Sequence, residues 1–182
     1  METIKVIFIL LIFTLVGCSS ETKKLSQMEE YDGPALESEN AIITMTEAGT
    51  LKLVIKAKEQ LTFANGDLSF PETIRIDFFD INGDTTSVLT ALEGSFDAET
   101  QLYRAYGDVV VRNLKENQIL KTEELFWNPE TEKIFTEKFF IVTTETDLIQ
   151  GTGLEAPQDF SSYEVKNPVG SKFEIKGSNE NN

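Results

Sequence analysis

The chain has 182 residues, 16 basic and 31 acidic side chains, no histidine and one cysteine, and its net charge is −15. The missing histidine excludes a Ser-His-Asp triad, a Cys-His pair and a His-ligated metal, and one cysteine makes neither an internal disulfide nor a thiolate metal cage. The charge opposes a nucleic-acid partner, because phosphate binding needs clustered Lys and Arg. A binding module, a structural protein and a carboxylate-only enzyme remain.

Residues 1–17 read as a signal peptide. The apolar run from Val6 to Val16 is eleven residues long and interrupted only by Thr14. A membrane-spanning helix needs roughly 20 such residues. A signal peptide needs about 7–15, followed by a small-residue cleavage site. The run ends Leu15-Val16-Gly17-Cys18, the pattern of a lipobox. In such signals the Cys thiol receives a diacylglycerol, the chain is cut before it, and the new amino group is acylated. Cys18 is therefore the expected lipid anchor. The mature chain of 165 residues keeps its charge of −15, since Glu2 and Lys5 cancel. Several acyl chains together hold a protein stably on a bilayer, so the expected location is a membrane surface outside the cytoplasm.

Residues 18–40 read as the lipidated Cys and a flexible tether. Ser19 to Asn40 is poor in apolar residues, holds Gly33 and Pro34, and carries a net charge of −4. Residues 177–182, Gly-Ser-Asn-Glu-Asn-Asn, read as a disordered tail. Residues 41–176 form one domain, large enough to bury about two-thirds of its unfolded surface.

That domain alternates with period two, the signature of half-buried strands. Leu51, Leu53, Ile55 and Ala57 oppose Lys52 and Lys56. Ile74, Ile76 and Phe78 oppose Arg75 and Asp77, and Tyr103, Ala105, Val109 and Val111 oppose Arg104, Asp108 and Arg112. Phe139 and Ile141 oppose Lys138, Phe140 and Val142, a strand apolar on both faces whose pattern does not choose a parity. Turn signals separate the runs: Asn65-Gly66, Asn82-Gly83, Asp97 to Thr100, Lys115 to Asn117 and Asn128 to Thr131. The expectation is an all-β protein of short antiparallel strands.

A shift of 31 residues lays Ser87-Val-Leu-Thr-Ala91 on Gln118-Ile-Leu-Lys-Thr122, and Phe96-Asp-Ala-Glu-Thr100 on Trp127-Asn-Pro-Glu-Thr131. Repeated β units bury their apolar faces by stacking on neighbours. They also leave open edges that invite strand addition.

Chemistry-bearing motifs are sparse. Asp80-Ile-Asn-Gly-Asp84 resembles half a calcium loop, but Ala91 stands where an EF-hand needs its Glu and both flanks are strands, so a hairpin turn is expected. Asp77, Asp80 and Asp84 have no spacing that marks an acid/base pair. Gly151-Thr-Gly153 opens no helix, so it is no phosphate loop. No enzyme activity, cofactor or metal is expected. The 13 Phe, four Tyr and one Trp are more informative. They suit either a sealed core or an apolar groove between two sheets, which pack about 10 Å apart.

Ser87 to Gly94, Ala105-Tyr-Gly-Asp-Val-Val-Val111, Leu120 to Asn128, Ile149-Gln-Gly-Thr-Gly-Leu-Glu-Ala156, Asp159-Phe160 and Tyr163 together resemble the LptC family in order and spacing, over about residues 41–175. The resemblance implies an OstA-like, LptA-related β-jellyroll of two splayed sheets with a hydrophobic groove that shields lipid A acyl chains. It implies lipopolysaccharide as ligand, and edge-strand docking to the subunits of the inner-membrane lipopolysaccharide ABC transporter and to an LptA-like bridge protein. It places the protein in the periplasm, on the inner membrane. The better-known members carry a transmembrane helix there; this chain has a lipobox, and Ser19 leaves the outer membrane open as an address.

Lipopolysaccharide head groups are anionic and the domain carries 13 basic against 23 acidic residues. Affinity is therefore expected from acyl burial, with local Lys or Arg at the groove mouth at most. The candidate inward residues are Leu53, Ile55, Ile76, Phe78, Val109, Val111, Leu120, Phe139 and Ile141. The competing expectation is a structural or surface lipoprotein whose β domain binds a protein partner and carries no lipid.

Overall fold

A computed structural model describes residues 31–170 and 172–173. The chain divides into residues 1–32 and Gly33–Asn182, and every strand among the described residues lies in the second unit. The signal peptide, Cys18 and the tail at 177–182 lie outside the described residues.

The strands are β1 (Leu36–Glu47), β2 (Thr50–Thr62), β3 (Leu68–Phe70), β4 (Ile74–Phe79), β5 (Thr85–Ala91) and β6 (Glu93–Asp97). They continue as β7 (Leu102–Asn113), β8 (Gln118–Asn128), β9 (Lys133–Thr143), β10 (Asp147–Pro157), β11 (Glu164–Pro168) and β12 (Lys172–Phe173). All pairings are antiparallel. The expected all-β jellyroll is the fold observed, and all five expected turns fall between strands.

One boundary differs. Leu36 to Asn40, assigned to the tether by composition, are the first residues of β1, with Leu36 opposite Thr62 and Glu39 opposite Glu59. This is an edge strand whose side chains are largely exposed. It needs few apolar residues, so composition does not distinguish it from a tether.

The two expected sheets are two halves of one continuous ladder. β2 pairs with β4 through Leu53–Ala57 and then with β3 through Leu61 and Thr62. β7 pairs with β6 through residues 102–106 and then with β5 through residues 110–113. The fold line between the halves is set by breaks at one level. Residues 71–73 part β3 from β4, and Leu92 parts β5 from β6. The register shifts at Tyr106/Val109, Thr122/Phe126 and Thr152/Leu154 continue the line across β7, β8, β9 and β10. Bulges bend and twist a strand, and aligned bulges bend the whole sheet. Gly107 sits at this line with φ +75°, where a Cβ would stand 3.1 Å from Leu92 Cβ.

The apolar faces of the two halves close on each other. The buried core draws on β2, β3, β4, β5, β7, β8, β9 and β10. The repeat of 31 residues is visible in its turns. Thr100 N donates to Asp97 Oδ1 at 2.7 Å, as Thr131 N does to Asn128 Oδ1 at 3.1 Å. Gln101 and Glu132, 31 apart, are both left-handed, with φ of 57° and 52°.

Candidate functional site

Alternation carries one side chain in two to the interior between the halves. Seven of the nine expected inward residues are there: Leu53, Ile55, Ile76, Phe78, Val109, Val111 and Leu120 are all 4% exposed or less. Ile55 and Ile76 also line a cavity of about 20 Å³, with Phe70, Leu89, Leu125 and Trp127. That volume admits about one water-sized probe. That cavity is too small for an acyl chain.

Phe139 and Ile141 correct the expectation, for they lie on the outer face. Directly opposed residues in a ladder share a face. Val142 is opposite Leu120 and Phe140 opposite Thr122, so Phe140 and Val142 point inward in this part of β9. Ile134, Phe140 and Val142 are at most 1% exposed, whereas Phe139 is 51% exposed. Ile141 is opposite Lys121. Phe139 and Ile141 line an outer hollow of about 660 Å³ with Val110, Lys121, Glu123 and Lys138.

The rim of the interior is polar. Lys52 on β2 donates to Glu132 in the β8–β9 turn at 3.2 Å and pairs with Glu47 at 2.9 Å. Hydrogen bonds that Lys52 donates to Glu47 and then Glu132 raise its pKa above the ordinary value. Lys52, Glu132 and Gln158 line a mouth of about 390 Å³ that reaches Leu53 and Trp127. Lys52 and Glu132 come from opposite halves, so their pair crosses the opening. Lys52 is thus a local cation at this opening. The two residues are 80 positions apart, and no local pattern joins them.

The carboxylates are committed to structure. Asp77 is buried and bound by Arg75 Nε at 2.8 Å and Lys56 Nζ at 2.9 Å. Burial pushes its pKa up, but the hydrogen bonds and charges of Arg75 and Lys56 outweigh that and hold it below the ordinary carboxylate value. Asp80 accepts from Lys115 at 2.8 Å and from the amides of Asn82 and Asp84 at 2.9 and 3.1 Å. It closes the expected hairpin turn.

Three residues of this site are absent from the expected inward set. Glu132 and Gln158 are ordinary polar residues in turns. Phe160 lies in a loop among polar neighbours, yet it is 0% exposed.

Compared with protein families, residues 5–174 match the model described as "Lipopolysaccharide-assembly, LptC-related". No curated protein matches the chain.

Proposed function

The chain belongs to the LptC-related family of lipopolysaccharide assembly, and on that footing we propose that it binds lipid A acyl chains between the halves of its jellyroll and passes lipopolysaccharide on without covalent change. The observation that supports this is the interior itself: two facing apolar walls with a polar mouth at Lys52 and Glu132. Each methylene moved from water into such an interior contributes about 0.8 kcal/mol. A protein this acidic gains little from a broad contact with an anionic head group. The cavity of about 20 Å³ means that loading requires the halves to part.

The remaining assignments belong to the same reading. Lipid-anchored at Cys18 on the periplasmic face of the inner membrane, the protein takes lipopolysaccharide from the ABC transporter and hands it to an LptA-like bridge. Its docking elements are the edges: among the described residues β1 pairs only with β2, and β11 only with β10. Unpaired edges are ready templates for strand addition.

Photo-crosslinking in cells tests the route. A photoreactive residue at Ile76 or Phe78 is expected to capture lipopolysaccharide, and one at Phe139 is not. Absence of adduct at every interior position overturns the reading. A cavity this small also suits a β domain that binds only protein, and such a domain gives protein adducts at β1 with no lipopolysaccharide adduct anywhere.

A further inference from the structure

The segment after β10 is anomalous in two ways. Every other member of the buried core sits on a strand, whereas Phe160 sits in a loop and is 0% exposed. Loops ordinarily run over the surface. Phe160 also has φ +54°, a left-handed conformation that is an outlier for a bulky side chain. Such strain persists only where the surroundings over-determine it.

The surroundings here are polar latches from both halves. Asn113, on the last residue of β7, donates Nδ2 to the carbonyls of Asp159 at 3.0 Å and Phe160 at 3.1 Å. Ser87 Oγ on β5 donates to the Gln158 carbonyl at 3.2 Å. Trp127 Nε1 on β8 donates to Gln158 Oε1 at 2.9 Å. Gln158 N donates to the Glu132 carbonyl at 2.8 Å. The loop thus ties β5 and β7 to β8 and the β8–β9 turn, across the mouth described above. Tyr163 stacks on Phe160 at 5.5 Å.

The geometry points to an intramolecular plug: Phe160 fills apolar space between the halves that an acyl chain takes, and loading displaces the loop at residues 158–163. This rests on the acyl-binding reading and adds to it a gate. An aromatic ring held by hydrogen bonds at its backbone, rather than by a strand ladder, leaves without unzipping the sheet. The affinity for an acyl chain is then lowered by the fraction of molecules with the plug in place.

Asn113→Asp is the discriminating variant. It keeps the Oδ1 acceptor that Lys115 N and Glu116 N use at 2.8 Å each, and it loses the Nδ2 donor to the loop. Gln158→Ala, which cuts the Trp127 latch and leaves β7 intact, is the second variant should the first fold poorly. The probe is laurate below its micellar concentration, added to the full chain. Binding is read by Trp127 fluorescence and loop release by hydrogen exchange at residues 158–163. In the wild type, laurate is expected to speed exchange in this loop and leave the strands of the core unchanged. Either variant is expected to exchange faster without laurate and to bind it about tenfold more tightly, as the open fraction rises. Laurate that binds wild type and variants equally, with the loop still protected, overturns the plug and leaves the acyl reading standing. Loops that open in the variants with no laurate bound to any protein overturn the acyl reading, and the gate with it.

Discussion

Phe78 and Trp127 meet edge to face, with ring centroids 6.0 Å apart and planes at 83°. Their strands, β4 and β8, are separated in the ladder by β5 and β7. Neighbouring strands stand about 4.8 Å apart, so a flat sheet would hold these rings far apart. The contact exists because the bulges at Gly107–Asp108 and along β8, β9 and β10 fold the ladder onto itself. Aromatic pairs of this kind contribute about 0.5–1.5 kcal/mol beyond their buried area. Phe78→Ala is expected to cost about 3–5 kcal/mol in urea denaturation, since a cavity forms at the seam of the two halves. Trp127 is the sole tryptophan, and its emission reports that seam directly.

The parity of β9 gives a paired test. Phe140→Ala removes a fully buried ring and is expected to destabilise by about 3–5 kcal/mol. Phe139→Ser, one residue away and half exposed, is expected to fall within about 0.5 kcal/mol of wild type. Equal costs for the two would mean that the register of β8 and β9 is wrong.

Asp77 makes stability depend on pH in a definite direction. Its folded pKa lies below its unfolded value because Arg75 and Lys56 favour the charged form. A group with a depressed folded pKa contributes stability that is present above its unfolded pKa, about 3.9, and lost as pH falls through the folded value. Asp77→Asn is expected to cost about 1–2 kcal/mol at pH 7, discounted because both cations are half exposed. The gap between variant and wild type should close below about pH 3.9. A gap that stays constant through that range would show that the carboxylate charge is not what holds the site.

Two glycines without unusual φ differ in what surrounds them. A Cβ on Gly151 would stand 2.5 Å from the Asn167 carbonyl oxygen, and one on Gly94 would stand 2.7 Å from Ile74 Cδ1. Backbone cannot swing aside as the end of a side chain can. Gly151→Ala is expected to detach β11 from β10 at a cost of about 1–3 kcal/mol, seen as lost amide protection in β11. Gly94→Ala is expected to cost less, because the atom it meets is the far end of the Ile74 side chain and not backbone.

Much of this fold is local and therefore readable from the chain. Period-two alternation puts Leu53, Ile55, Ile76, Phe78, Val109 and Val111 inward whatever the neighbours are, because successive side chains of a strand face opposite ways. Asn-Gly and Asx turns stop the strands by hydrogen bonds within a few residues, as Asp80 and Asp97 do. Where both faces are apolar, as at Phe139-Phe140 and Ile141-Val142, alternation is silent. The choice then fell to the pairing of Val142 with Leu120, 22 residues away. The edge strand at Leu36–Asn40 was equally hidden, since it is formed by its partner β2 and not by its own composition. Phe160 is the extreme case. Its burial depends on Asn113, Ser87 and Trp127 meeting at one mouth, and only the folding of the ladder brings those residues together.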